Sequence, residues 1–259
     1  WSVTDLDGFW GSLWDFFEVI FHKPYDQVLA GRQMPGARWF TNSTLNYAEH
    51  SLRRRDEHIA IVFQSELRPL TSLSYGQLSE QVASAACGLR RLGVRKGDRV
   101  VAYMPNLPET LVAFLATASI GAIWSVCAPE FGTRVVSDRF GQIKPKVLIA
   151  TDGYRYGSRD HRRISTVAEL QGLLPSIETT VIVPYLARHP NVDGLDSVIS
   201  WDELLSEPAE LEFEAVAFDH PLWVLFSSGT TGLPKAIVHG HGGILIEHLK
   251  SLSLHVDLT

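Results

Sequence analysis

From Ile59 onward, the spacing of apolar residues switches repeatedly between a strand period and a helix period, and few architectures accommodate that alternation. Residues 59–63 (IAIVF) predict a short strand. Residues 74–92 predict a helix: Ser74 and Gln77 are spaced as a capping box, Leu78, Val82, Ala85, Leu89 and Leu92 share one face, and Gly93 is a stop signal. Residues 99–104 predict a strand ended by Pro105, 109–119 a helix, 122–127 a strand and 133–143 a helix. Further strands are expected over 146–151, 179–183 and 222–226. These strands are rich in Val and Ile and do not alternate with polar residues, as in a parallel sheet buried on both faces. The predicted class is α/β, a layered domain with largely parallel sheets covered by helices.

The chain has 259 residues, 45% of them hydrophobic and 20% charged, enough apolar material for a substantial core and unlike a disordered segment. Its net charge of -6 argues against a nucleic-acid partner but leaves room for a local anion site. Cys87 and Cys127 have apolar neighbours and are too few for a disulfide scaffold, so buried thiols in a reducing, cytoplasmic setting are expected. Residues 110–129 carry no charge and could just span a bilayer, yet Gly121 divides them into a helix-like and a strand-like piece, so no membrane association is expected. An aromatic stripe at helical spacing (Phe9, Trp10, Leu13, Trp14, Phe17, Ile20 and Phe21) is expected to dock on the protein itself, and the acidic run 203–214 to form a solvated link. Trp1 opens the chain and a helix-like run precedes Thr259, so both ends are expected to be cuts in a longer polypeptide.

The segment with the most chemistry follows the predicted strand at 222–226. Residues 227–235 (SSGTTGLPK) offer hydroxyls at Ser227, Ser228, Thr230 and Thr231, glycines at Gly229 and Gly232, and a cation at Lys235. Glycines let backbone N–H groups converge on an anion, hydroxyls add donors, and the lysine adds charge suited to polyphosphate. The two glycines have two residues between them, where a Walker loop has four. A polar strand-to-strand turn is the plainer alternative.

Residues 226–235 resemble the signature loop of the adenylate-forming enzymes, the superfamily of acyl-CoA synthetases, peptide-synthetase adenylation domains and luciferases. Residues 39–46 (WFTNSTLN), 74–78 (SYGQL), 93–98 (GVRKGD), 103–106 (YMPN) and 121–123 (GAI) are similar, in order, to the acetyl-CoA synthetase branch. Within it, residues 128–132 (APEFG), 238–243 (VHGHGG) and 247–250 (EHLK) resemble the acetoacetyl-CoA synthetases. The resemblance implies an AMP-forming acid–CoA ligase using ATP with Mg2+, coenzyme A and acetoacetate, with acetate, propionate or another short acid as alternative substrates. If 259 residues were a complete chain, a non-catalytic nucleotide- or coenzyme A-binding module would be the alternative.

The resemblance further implies a role for each site residue. Ser227, Ser228, Gly229, Thr230, Thr231, Gly232 and Lys235 would bind the ATP phosphates, with Thr230, Thr231 and Lys235 supporting catalysis. His239 would border the acyl pocket, its alternative being a core or helix-start histidine; paired with His241 it lacks a third clustered ligand for a metal. Tyr156, Gly157, Ser158 and Arg159 would contact coenzyme A, although Arg155, Arg162 and Arg163 make a solvated basic loop an equal reading. Residues 1–55 would form an N-terminal extension and 56–259 the first part of the adenylation domain. The C-terminal domain with its adenylation lysine has no counterpart in this sequence.

Overall fold

The runs of Val, Ile and Ala assemble into one seven-stranded sheet in the computed structural model, which describes residues 1–228 and 232–258. The chain starts with α1 (Leu6–Phe16), β1 (Gln27–Ala30), β2 (Arg38–Thr41), β3 (Thr44–Leu45) and α2 (Tyr47–Ser51). Then come β4 (Ile59–Phe63), β5 (Thr71–Ser74), α3 (Tyr75–Arg91), β6 (Arg99–Tyr103), α4 (Pro108–Ser119), β7 (Ile123–Cys127), α5 (Thr133–Phe140) and β8 (Val147–Thr151). The hairpin β9 (Gly153–Tyr156) and β10 (Arg159–Arg162) precedes α6 (Ile164–Leu173), β11 (Thr179–Val183), β12 (Val198–Ser200) and α7 (Trp201–Leu204). The last elements are β13 (Val216–Ala217), β14 (Pro221–Ser227), β15 (Lys235–Gly240), α8 (His241–Leu249) and a π-helical stretch, Lys250–His255.

The large sheet runs β12-β11-β8-β6-β7-β14-β15. All neighbours are parallel except β15, which returns antiparallel to β14. Side chains alternate between two cores, as the pleat requires. Val100 and Ala102 of β6 face a core with Val82, Leu89, Val112 and Leu115 of α3 and α4. Val101 and Tyr103 face the opposite core, with Val136, Phe140, Val167 and Leu170 of α5 and α6. The α3 capping box forms as its spacing predicts: the Gln77 N–H donates to Ser74 Oγ (3.2 Å), and the Ser74 N–H donates to Gln77 Oε1 (3.0 Å).

The uncharged stretch divides at Gly121, whose φ of +69° turns the chain from α4 towards β7. Among the described residues no helix is long and apolar enough to cross a membrane. The aromatic stripe docks on its own chain. Leu13 and Trp14 join Phe40, Phe218, Leu245 and Ile246 in a third core, with Trp14 stacked on Phe40 at 4.9 Å. Asn46, fully buried, reinforces this junction: its side-chain amide donates to the carbonyls of Ala118 (3.0 Å) and Glu214 (2.9 Å), while its oxygen caps α2.

Several expectations need correction. The helix of the aromatic stripe stops at Phe16, short of Phe17, Ile20 and Phe21, and Phe21 is exposed. β4 pairs with β5 in a separate two-stranded sheet and does not join the large one. The acidic run is a solvated link on one side only: Leu204 is fully buried and Leu211 and Phe213 pack on the core, while Glu207 and Glu214 reach out to Arg91 and Lys96. Cys127 is buried, but Cys87 is half-buried; both are free thiols.

Candidate active site

In parallel sheets the backbone at the carboxyl ends of the strands is free to carry loops, and ligands collect where successive connections leave for opposite faces. Here β6 lies between β7 and β8. The connection from β6 enters α4 on one face, and that from β7 enters α5 on the other. The buried Tyr103 hydroxyl, at the end of β6, lies 2.6 Å from the Pro129 carbonyl and 2.7 Å from that of Phe131, so the two connections are tied together at this crevice. Burial raises the Tyr103 pKa, which keeps the hydroxyl protonated as a donor.

The glycine- and hydroxyl-rich loop leaves β14 at the same edge. β14 is aligned with β7 through the Trp223–Trp124 pairing and a hydrogen bond from Ser125 Oγ to the Val224 carbonyl (2.7 Å). Ser227 pairs in register with Lys235, so the loop joins two antiparallel strands, as a polar turn also would. Ser227 is half-buried, Ser228 and Lys235 are exposed, and Gly232 has a φ of +149°, which favours glycine. Beyond it, the Gln142 side chain donates to the Pro234 carbonyl at 2.9 Å and holds the returning arm against the end of α5. Gly229, Thr230 and Thr231 lie outside the described residues.

His239 stands on β15, four residues past Lys235, or about 13 Å of extended chain. That separation gives it a setting distinct from the 227–235 loop. The Trp223 Nε1–H donates to His239 Nδ1 at 2.8 Å, so a neutral His239 carries its proton on Nε2. Trp223 also packs near Phe114 (5.5 Å between centroids) and His248 (5.7 Å), and the Tyr47 hydroxyl lies 3.1 Å from His248 Nδ1. Burial lowers the His248 pKa and raises that of Tyr47, so these two side chains are polar but uncharged near neutrality. His241 is separate from them: fully buried at the start of α8, it accepts the Tyr47 N–H at Nδ1 (3.1 Å), and burial lowers its pKa to about 3. Among the described residues no group of three or more His, Cys, Asp or Glu is gathered as for a metal.

Residues 153–162 form a β-hairpin at the carboxyl end of β8, again on the loop-bearing edge. Its turn residues Gly157 and Ser158 have φ values of +57° and +62°, the conformation of a tight two-residue hairpin turn. Tyr156 is 75% exposed and Arg159 is also exposed, so both can meet a ligand. Of the competing arginines, Arg155 is paired with Asp160 at 2.6 Å, and that hydrogen bond holds the aspartate below the usual carboxylate range. Arg163 lies over the Tyr154 ring and donates to the Pro129 carbonyl, while Arg162 is exposed.

Two carboxylates here have partners that no local spacing announces. Asp152, buried, accepts the N–H groups of Tyr185, Leu186 and Ala187 at 2.7, 2.9 and 2.8 Å, fixing the base of the hairpin to the segment after β11. Glu66, from the β4–β5 loop, accepts the Gly157 N–H at 3.0 Å and the Ser158 N–H at 2.8 Å. Those two amides, expected to face coenzyme A, are therefore bonded within the chain. The hairpin itself was legible in hindsight from Gly157-Ser158 between Tyr- and Arg-containing flanks.

Comparison with known proteins bears on the family and the fold. Residues 48–257 match the family model described as AMP-binding enzyme, and residues 1–51 match acetyl-coenzyme A synthetase N-terminus. The chain is 41% identical over 264 residues to an acetoacetyl-coenzyme A synthetase of Rhizobium meliloti (strain 1021) and 38% identical over 270 residues to an acetoacetyl-CoA synthetase of Macaca fascicularis. Each alignment covers 100% of this chain and 40% of the relative, so the chain spans well under half the length of these proteins. A solved acetoacetyl-CoA synthetase from Streptomyces lividans superposes with a TM-score of 0.94 at 51% identity, again over 100% of this chain and 40% of that one. With the family model matching most of its length and a parallel α/β sheet carrying the signature loop, the chain belongs to the AMP-binding enzyme family.

Proposed function

We propose that this chain is the first part of an AMP-forming acid–CoA ligase that acts on acetoacetate, with residues 1–55 as an N-terminal extension and the remainder opening the adenylation domain. The observation that carries the reading is the Ser/Gly/Thr loop and Lys235, set at the carboxyl edge of a parallel sheet in a chain whose relatives are acetoacetyl-CoA synthetases. In the first step the acid's carboxylate oxygen attacks the α-phosphorus of ATP, and pyrophosphate leaves. In the second, the coenzyme A thiol attacks the acyl carbonyl; the thiol proton is lost and AMP departs. Magnesium arrives with the nucleotide and offsets phosphate charge.

In this reading the loop's backbone N–H groups and the hydroxyls of Ser227, Ser228, Thr230 and Thr231 hold the β- and γ-phosphates, and Lys235 adds positive charge as pyrophosphate separates. His239, its Nε2–H set by Trp223, borders the acyl group and offers it a donor. Tyr156 stacks on the coenzyme A adenine, and Arg159 meets its phosphates. The substrates are small molecules of the cytoplasm.

The test separates the two half-reactions in the full-length protein. Losing one hydrogen bond to a charged phosphate costs about 1.5–3 kcal/mol, so Thr230→Ala or Thr231→Ala should slow acyl-adenylate formation by roughly 10- to 150-fold. Thioester formation from supplied acetoacetyl-adenylate should fall far less. Equal losses in both steps would refute the assignment.

A further inference from the structure

The tip of the β9–β10 hairpin is held from outside by one side chain. Gly157 and Ser158 present adjacent N–H groups, and each oxygen of the Glu66 carboxylate takes one of them, at 3.0 and 2.8 Å. Such paired amides form a small concavity for an anion, and this chain fills it with a carboxylate of its own. Ser158 has a left-handed φ of +62°, a strained conformation for a residue with a Cβ, so the turn gains from an external clamp.

The clamp is itself anchored. Glu66 lies in a loop where Ser65 Oγ accepts the N–H groups of Leu67 and Arg68 at 3.2 and 3.1 Å. Arg68 then pairs with Glu109 of α4 at 2.7 Å, donates to the Pro184 carbonyl at 3.2 Å, and lies 5.1 Å from the Tyr185 ring centroid. Asp152 grips the same segment from the hairpin's base, through the N–H groups of residues 185–187. Base and tip are therefore both referenced to the segment that follows β11. The side chains flanking the clamped turn are the exposed Tyr156 and Arg159.

We propose that Glu66 is a positioning residue for coenzyme A: by clasping the turn amides it sets where Tyr156 and Arg159 stand. This rests on the coenzyme A reading of the hairpin given above. Among the described residues the hydrogen bonds of Glu66 go to the hairpin turn, so its effect is expected in the second half-reaction alone. Glu66→Gln keeps one carbonyl acceptor and sets an NH2 group against the other turn N–H, so it should retain part of the effect.

The experiment uses the full-length protein and compares Glu66→Ala, Glu66→Gln and Arg159→Ala, measuring the coenzyme A KM and acid-dependent ATP–pyrophosphate exchange, which needs no coenzyme A. Loss of a charge-assisted clamp should raise the coenzyme A KM of Glu66→Ala by about five- to twentyfold, with Glu66→Gln in between. Exchange should stay within about twofold of the parent, which also reports that the variants fold. A coenzyme A KM that is unchanged or lowered in Glu66→Ala, while Arg159→Ala raises it, overturns the positioning role alone; a lowered value would make the carboxylate a competitor for the site. If neither substitution raises the KM, the coenzyme A reading of the hairpin falls together with the proposal.

Discussion

At the scale of single residues, the least comfortable side chain is His241. It is fully buried, its Nδ1 is satisfied by the Tyr47 N–H, its Nε2 has no partner among the described residues, and the His220 ring lies 5.7 Å away. Burial, followed by repulsion from His220, lowers its pKa from 6.5 to about 3; burial and Arg53 lower that of His50 to about 4. Both fold as neutral imidazoles and take up a proton on unfolding, so their contribution is complete above the unfolded value of 6.5 and is lost as pH falls through it. Each histidine then removes about 1.4 kcal/mol of stability per pH unit below that point, until its folded pKa is reached. Urea unfolding at several pH values between neutrality and about pH 4.5 should show His241→Asn with a shallower decline than the parent, by roughly 1.4 kcal/mol per unit. Identical slopes would mean that His241 is not the buried base described here.

At the scale of elements, the close contact of α3 with α7 invites a direct test. A Cβ at Gly88 would run into the carbonyl oxygen and side chain of Leu204, so Gly88→Ala, although it raises helix propensity, should destabilise the domain by about 1–3 kcal/mol. A stability equal to or above the parent's in urea unfolding would show that α7 yields easily. The elements legible in the sequence carry their signal locally, as a helical period or as an unbroken apolar run. The wholly buried strand β8 and the capped helix α3 are the clearest cases. What escaped carries neither of these signals. β9 and β10 are mostly polar and pair with each other at the sheet's edge, α6 starts without a side-chain cap, and Glu66 meets its turn across 91 positions. The candidate site divides the same way: the loop after β14 announces itself by composition, whereas the clamp on the hairpin exists only once the fold has formed.

At the scale of the molecule, the loop after β14 and the hairpin after β8 occupy one edge of one sheet, with β6 and β7 between them, an arrangement that suits the proposed nucleotide and thiol subsites to a single reacting centre. The aromatic core around Trp14, Phe40 and Phe218 fixes the N-terminal segment against α8, the helix that follows the strand bearing His239. Binding phosphate is common to many acids' ligases; the acid is what would distinguish the ligase proposed here. A site that hydrogen-bonds a substrate oxygen rejects analogues lacking it far more strongly than an apolar pocket rejects a missing methylene. The most direct measurement is therefore ATP–pyrophosphate exchange by the full-length protein with acetoacetate, acetate, propionate and butyrate in parallel. Acetoacetate should support exchange with a kcat/KM at least about tenfold above each of the others. Exchange that is as fast with acetate or propionate, or absent with every acid, would contradict the assignment.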